Sequence, residues 1–320
     1  MGFKAKIISL TVLNIVLIGL FLTIDVKNWE YALPRRGASV AAIAVTGAAI
    51  AFSTVVFQTI TNNRILTPSI IGLDSLYMLI QTFIIFVFGS TSFLVIDRNV
   101  NFLLSVGMMI LFAGLFYKLL FRREGQHLFL LLLIGLVLGT LFSSLSTFMQ
   151  VLIDPNEFQT VQNRMFASFN NINTDLLYLA IALFIGITIY CYKYFKFLDV
   201  LSLGREHAVN LGIPYDSVIK RLLIVVAIFI SIATALVGPI TFLGLLVANV
   251  AYEFMRTYKH REIIIGAILI STIALIGGQL VVQHVFTFST PLSVIINFIG
   301  GVYFLYLLLC VFPLSFIKGE

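Results

Sequence analysis

The chain has 320 residues, of which 60% are hydrophobic and only 11% are charged, and its mean hydropathy is +1.07. Water-soluble domains are about half apolar and about a quarter charged, so this composition excludes a soluble protein. The formal net charge of +6 would suggest nucleic acid as the partner of a soluble protein, but here the basic residues lie in short segments between apolar runs. Their positions indicate the orientation of the chain in the membrane instead, and no nucleic-acid partner is expected.

Ten apolar segments follow one another along the chain, with helical rather than alternating periodicity. They lie at about 7–25, 36–58, 70–90, 101–120, 128–150, 174–192, 221–238, 240–255, 263–283 and 291–313. Each has close to the roughly 20 residues that a membrane-spanning helix requires. The sequence therefore predicts an all-α polytopic membrane protein with about ten transmembrane helices, which form a single domain over residues 1–320 in contact with membrane lipid.

Ten spans place both termini on the same side of the membrane. With the termini in the cytoplasm, 15 of the 20 Lys and Arg residues fall in inner segments and 5 in outer ones. Basic residues accumulate on the cytoplasmic side, so this orientation is favoured over its inverse. Cys191 and Cys310 lie at predicted inner span ends, where reduced thiols are expected in place of a disulfide.

The second predicted span carries a run of small residues, Thr46–Thr54, and ends near Gln58. Small residues permit close approach between helices, and ordinary helix packing explains them well. The longest outer loop begins at Asp154–Pro155, and residues 161–169 within it are expected to form a short helix that does not cross the membrane.

Residues 201–214 are the longest polar interruption that still has a helical pattern. Apolar and polar residues recur at the spacing of an amphipathic helix. Gly204 and Gly212 with Pro214 allow turns between short helical pieces. The segment is too short to span the membrane. Two interpretations follow from the pattern: a surface gripped by a soluble partner, or a solvated interfacial helix between two spans, which is the commoner case.

Residues for catalysis or for binding a cofactor are not evident. No G-x-x-x-x-G-K-[ST] motif is present to hold ATP phosphates, no G-x-S-x-G motif presents a serine nucleophile, and the four histidines are too scattered for a metal site. We therefore predict no catalytic residue, cofactor or metal. Asp74 is the deepest acid in a span, and this scarcity of intramembrane charges argues against an ion-coupled carrier.

Four stretches resemble the permease subunits of bacterial ABC importers for iron-siderophores, haem and cobalamin. The matching stretches are Leu33–Arg35, which resembles L-P-R; Gly47–Gln58 with Asn63, Pro68 and Gly72, which resembles G-A-A-L-A-x-S-G-x-x-x-Q and N-P-L-x-x-P-x-x-L-G; Leu203–Gly212, which resembles L-G-x-x-x-A-x-x-L-G and is followed by Arg221; and Gly238–Leu245, which resembles G-x-I-x-F-V-G-L. The chain length and span count also match. The resemblance implies the type II importer fold of ten helices per subunit.

The family's partners are implied for this chain as well. They are cytoplasmic P-loop ATPase subunits, an extracytoplasmic siderophore-binding protein, and a second permease subunit in a bacterial cytoplasmic membrane. By resemblance, the ATPase-coupling residues are Leu203, Gly204, Arg205, Glu206, Ala208, Leu211 and Gly212. Binding-protein docking is expected at Arg35, Arg36 and Arg164, which alternatively contact lipid phosphates or nearby acids. A translocation path is expected at Ser53, Gln58 and Ser168, unless the second span is a packing face.

The sequence departs from the family motifs at three places: Thr54 replaces a glycine, Arg64–Leu66 replaces P-L-A, and Ala248–Asn249 replaces Pro-His. These departures suit one of two non-identical permeases, with a homodimer as the alternative. The expected function is a non-enzymatic permease for a ferric siderophore, and haem and cobalamin are the alternative substrates. An ion-coupled carrier or an intramembrane enzyme remain the alternatives from other classes, and neither explains residues 201–214.

Overall fold

The computed structural model describes residues 2–26, 28–120, 128–170, 172–287, 290–307 and 309, and these ranges contain helices and loops without a strand. The helices are α1 (Phe3–Thr23), α2 (Trp29–Thr61), α3 (Leu73–Phe88), α4 (Phe93–Ile96), α5 (Arg98–Leu120), α6 (Leu128–Leu152), α7 (Pro155–Met165), α8 (Thr174–Tyr192), α9 (Phe195–Leu201), α10 (Arg205–Asn210), α11 (Tyr215–Val237), α12 (Leu243–Met255), α13 (His260–His284) and α14 (Leu292–Tyr306). A short 3-10 helix, Pro68–Ile71, precedes α3. Cys310 and Asn171 lie outside the described residues.

Each of the ten predicted spans coincides with a helix. In the described part of the chain, seven helices are long and apolar enough to cross a membrane, and α3, α12 and α14 are shorter apolar helices. The all-α polytopic fold is thereby confirmed. The four other α-helices, α4, α7, α9 and α10, lie in the connections between these ten.

Helix α2 runs through the centre of the bundle and packs against α8, α11, α12 and α13. Every residue from Thr46 to Ile60 is buried. A methyl group on Gly47 would lie 2.8 Å from the Ser271 hydroxyl oxygen of α13, so the glycine permits this close approach. The small residues of the second span are therefore explained by packing inside one subunit.

Two of the short helices begin at sharp breaks. Gly72 has φ of 87°, and a methyl group there would lie 2.7 Å from the Gly139 Cα of α6. Gly238 has φ of 104° and lies on the chain leading to α12, against the Ala167 backbone. Both positions need glycine because a side chain would be strained and would collide with a neighbouring backbone.

The buried carboxylate of Asp74 lies between the starts of these two short helices. It lies in the first turn of α3, and one oxygen accepts a hydrogen bond from Thr234 of α11 at 3.3 Å. Thr241, just before α12, lines the same small pocket as Asp74 and Thr234. The start of α3 is thus attached to the long helix α11, and the chain before α12 lies close to this contact.

Two predicted boundaries are wrong for local reasons. Helix α2 begins at Trp29 rather than near residue 36, because the Asn28 side chain caps it by accepting from the N–H groups of Glu30 and Tyr31. Pro34 therefore lies inside the helix, and the L-P-R motif belongs to its outer turns rather than to the loop before it.

The outer-loop helix is also displaced from its prediction. Helix α7 covers Pro155–Met165 rather than 161–169, and the carboxylate of Asp154 caps it by accepting from the Asn156 N–H at 3.0 Å. Pro155 suits the first helical position, where its missing N–H costs nothing. Residues 166–169 are irregular and pack on the chain that precedes α12, where the Ser168 N–H donates to the Val237 carbonyl at 2.9 Å.

Candidate functional site

The segment predicted to couple to an ATPase forms two short helices, α9 and α10, joined by a tight turn. Gly204 and Gly212 have φ of 93° and 79°, which glycine adopts without strain. The predicted turns at these two glycines are therefore confirmed as backbone geometry. Ala208 is fully buried and anchors α10.

The outer surface of α10 is exposed and mixed in character. Leu203 and Leu211 are 57% and 65% exposed, beside the exposed charges of Arg205 and Glu206. Arg205 pairs with Asp216 at 3.3 Å, but both side chains are about half exposed, so the pair contributes at most about 1 kcal/mol to stability. Exposed apolar side chains therefore lie beside charged ones on a segment that is too short to span the membrane.

A second, partly buried contact attaches α9 to the helix bundle. One Asp199 carboxylate oxygen accepts from the His260 backbone N–H at 2.8 Å and lies 2.7 Å from the ring Nδ1. His260 is the first residue of α13 and is buried. Asp199 therefore caps α13 across space and attaches α9 to the first turn of that long helix.

The same end of the bundle holds the start of α1. The Lys6 ammonium donates to the carbonyls of Phe254 and Met255 at 2.7 and 3.0 Å, where α12 ends. Lys6 thus satisfies carbonyls that have no partner within the helix. The start of α1, the end of α12, the start of α13 and the α9–α10 segment therefore share one face of the protein.

At the opposite end, Arg35 and Arg36 border a cavity of about 430 Å³ that Tyr31, Asn170 and Gln279 also line. Arg35 is exposed, and its Nε donates to the Asn170 carbonyl at 3.1 Å. Arg36 is half-buried and donates to the Phe21 and Ile24 carbonyls at 2.9 and 2.7 Å, so it closes the end of α1. Of the two, Arg35 presents more of its charge to a partner.

The three arginines predicted for docking are not one cluster. Arg164 lies on α7, is half-buried, and has its charge near the Tyr77 hydroxyl of α3. Arg35 and Arg36 lie on α2 beside residue 170. A partner that binds this face would meet the two groups at different places.

The residues predicted for the translocation path are also separated. Ser53 is fully buried and its hydroxyl has no hydrogen-bond partner, while Gln58 is buried and donates to the Arg64 carbonyl at 2.7 Å. Ser168 is exposed and lines an outer cavity of about 410 Å³ together with Asn163 and Asn170. In this conformation only Ser168 faces open space.

Helix α6 has a polar face that the sequence reasoning did not assign to a path. Thr140, Ser144 and Thr147 are all exposed in this mostly apolar helix. Their spacing of four and then three residues places them on one side. The signal was present in the sequence, because hydroxyls at this spacing give an apolar helix one polar stripe.

Comparisons with known proteins agree with this architecture. The model of the FecCD transport family matches residues 6–310. The chain is 66% identical to the petrobactin import system permease protein YclO of Bacillus subtilis, over 96% of this chain and 97% of that protein. It is 36% identical to the petrobactin import system permease protein FatC of Bacillus anthracis, over 89% of this chain and 81% of that one.

The fold has a counterpart among solved structures. An inward-facing structure of an ABC transporter described as of metal-chelate type aligns with a TM-score of 0.83 at 22% identity, over 96% of this chain and 99% of the other. This likeness concerns the fold, and it confirms the predicted permease architecture. With a family match that spans nearly the whole chain, the protein belongs to the FecCD transport family and is a membrane permease.

Proposed function

We propose that the chain is a membrane permease of an ATP-driven importer for ferric petrobactin or a closely similar siderophore. The observation that carries the proposal is the 66% identity to YclO over almost the full length of both proteins. The bundle supplies the membrane path, and ATP is hydrolysed by separate subunits. Haem and cobalamin are the competing substrates from the same family.

The second permease of the importer is a different protein. The chain is 66% identical to YclO but only 26% identical to YclN, and both are petrobactin import permeases of Bacillus subtilis. The chain therefore corresponds to one half of an unequal pair. A heterodimer with a YclN-like subunit is proposed over a homodimer.

The test is uptake of radioactive iron bound to petrobactin in a Bacillus subtilis strain that lacks YclO. Expression of this chain should restore uptake, and unlabelled haem or cobalamin should not compete. Restored uptake of haem with no uptake of petrobactin would refute the substrate. No uptake by a chain that is inserted in the membrane and bound to the other subunits would refute it equally.

The ATPase docks at residues 203–212, on the face that also holds the start of α1. Both termini and this segment are then cytoplasmic. Exposed Leu203 and Leu211 fill a groove of the ATPase, and the charges of Arg205 and Glu206 orient it at the rim, where charges set register more than affinity. ATP-driven movement of the docked segment shifts the bundle between inward-facing and outward-facing states.

Replacing both Gly204 and Gly212 by valine tests this docking site. Positive φ is unfavourable for a β-branched residue, so the two turns would be strained and ATPase co-purification should be lost. Gly19→Val with Gly107→Val is the matched control, because a side chain at either control position meets no atom within 4 Å. Normal co-purification and uptake of the first double variant would exclude the segment as the dock.

The path runs along the hydroxyl face of α6 toward Ser168 and the outer cavity, at the contact with the second permease. A bulky polar chelate needs a wide path with hydroxyl groups and few fixed charges, and Thr140, Ser144 and Thr147 provide that surface. Ser53 and Gln58, which are buried in α2, join the path only if α2 moves away from its neighbours. Binding-protein docking at the outer mouth is assigned chiefly to Arg35.

A further inference from the structure

A cluster of two cations and two tyrosines lies where α8 and α11 meet, near the docking segment but outside it. It consists of Tyr190, Lys193, Tyr194 and Arg221 and is called the tyrosine–cation cluster here. The Arg221 guanidinium donates to the Tyr194 hydroxyl at 2.9 Å, and the Lys193 Nζ lies 4.4 and 5.2 Å from the two ring centroids. The Lys193 ammonium thus lies over both rings, and the Arg221 guanidinium lies against Tyr194.

Among the described residues, the two cations have no carboxylate partner. The ion pairs within the described ranges join 205 to 216, 259 to 262 and 199 to 260, so neither Lys193 nor Arg221 takes part in one. Burial opposes ionisation of the Tyr194 hydroxyl, yet hydrogen bonds to Tyr190 and Arg221 hold its pKa below the usual value. The surroundings of this hydroxyl therefore favour a negative charge.

The depth of the cluster determines which anion reaches it. Helix α8 ends at Tyr192, just before Lys193, whereas Arg221 lies six residues beyond the start of α11, about 9 Å along the helix axis. The cluster is therefore level with the end of a membrane span. At that level the abundant anions are phospholipid phosphates, to which long basic side chains extend.

An apolar strip continues from the cluster toward the membrane centre. Leu183 and Gly186 precede Tyr190 by seven and four residues, so they share its face of α8, and both are exposed. A side chain at Gly186 would meet no atom within 4 Å, which leaves open space along this face. Ile224, one turn beyond Arg221 on α11, is 38% exposed.

We propose that the tyrosine–cation cluster and this strip form a binding site for one anionic glycerophospholipid. The phosphate lies between the Lys193 ammonium and the Arg221 guanidinium, and an acyl chain lies over Leu183, Gly186 and Ile224. The two tyrosines hold the cations in place before the lipid arrives, which lowers the entropy lost on binding. The site is independent of the substrate and of ATPase docking.

The test measures lipid retention by the purified importer complex with native mass spectrometry, during dilution into detergent. Phosphatidylglycerol is compared with phosphatidylcholine of the same acyl chains. The wild-type complex should retain phosphatidylglycerol longer, and Lys193→Gln or Arg221→Gln should each weaken retention about fivefold, the effect of one basic side chain near a lipid surface. Arg221→Lys keeps the charge and should retain most of the binding.

Two further variants separate the site from general charge effects and from misfolding. Lys118→Gln removes one exposed charge in the last turn of α5 and should leave retention unchanged. Tyr194→Phe preserves every charge but removes the acceptor of the Arg221 hydrogen bond, so retention should fall to an intermediate value. Inorganic phosphate at constant ionic strength should not displace the lipid, because it lacks the acyl chains.

Several results would overturn the proposal. Equal retention of the two lipids would show that charge is not recognised, and an equal loss in Lys118→Gln would show that any inner charge suffices. Displacement by inorganic phosphate would indicate a simple anion site. Unchanged lipid retention in Lys193→Gln and Arg221→Gln, together with weaker ATPase co-purification, would assign the cluster to an acidic surface of the ATPase.

Discussion

Removal of the Asp199 carboxylate should detach the docking segment from the bundle. Asp199→Ala deletes two interactions at once: the cap on the first N–H of α13 and the contact with the buried His260 ring. A lost cap costs about 1 kcal/mol. A buried polar group left without a partner costs about 1–3 kcal/mol, and the lower part of that range applies because the Asp199 side chain is 48% exposed. The local opening free energy should therefore fall by about 2–3 kcal/mol.

The assay is hydrogen–deuterium exchange of peptides that cover residues 195–214 in the assembled importer. A loss of about 2–3 kcal/mol corresponds to exchange that is about 30- to 150-fold faster, if exchange follows local opening. Asp199→Asn keeps an oxygen acceptor for the backbone N–H, so its exchange rate should lie between those of the wild type and of Asp199→Ala. ATP hydrolysis should continue in Asp199→Ala while uptake falls, because the dock remains but its link to α13 is broken.

The matched control is Asp216→Ala, which removes the exposed partner of Arg205 on the same segment. An exposed ion pair contributes at most about 1 kcal/mol, so exchange should rise no more than about fivefold. The reasoning is refuted if Asp216→Ala and Asp199→Ala accelerate exchange equally. It is also refuted if Asp199→Ala exchanges at the wild-type rate.

Three other predictions concern the outer face, the path and the break before α3. Arg35→Glu should weaken binding of the extracytoplasmic binding protein and reduce its salt dependence, measured by biolayer interferometry at two salt concentrations; unchanged affinity at both would contradict the docking role. Ser144→Cys should react with a polar maleimide at a rate that changes with ATP analogues, whereas Ser53→Cys should stay unreactive in this conformation; the reverse order would return the path to α2. Gly139→Val should lower the yield of folded protein, measured by size-exclusion chromatography, because its side chain would press against the backbone at Gly72, 3.2 Å away; a normal yield would show that α3 and α6 can separate at little cost.

Much of the fold could be predicted because a membrane-spanning helix needs roughly 20 mostly apolar residues, and such segments can be recognised in the sequence. All ten apolar segments became helices, and the turns at Gly204 and Gly212 followed from the residues that such turns require. The start of α2 was missed because Pro34 and two arginines resemble a loop. The available signal was Asn28, a good helix cap, with Glu30 in the first turn.

The candidate site was less predictable because its geometry depends on contacts far apart in the sequence. Asp199 and His260 are separated by 61 residues, and nothing in either local pattern indicates that they meet. Ser53 was expected on the translocation path, with a packing face as the alternative, and in this conformation its side chain is fully buried. The hydroxyl stripe of α6 could be recognised from the helical spacing of its residues, but only the structure shows that it is exposed.

The short helices α3 and α12 also constrain how the protein enters the membrane during synthesis. At 16 and 13 residues they rise about 24 and 20 Å, less than the roughly 30 Å thickness of the hydrocarbon layer. Neither is a sufficient insertion signal for the translocon, because recognition of a span depends on its length as well as on its hydrophobicity. Helix α12 packs against α13, which is synthesised after it, so we expect it to enter the bilayer together with that later helix. A ribosome that stalls between residues 255 and 284 would therefore leave this short helix with α2 beside it but without its later partner α13.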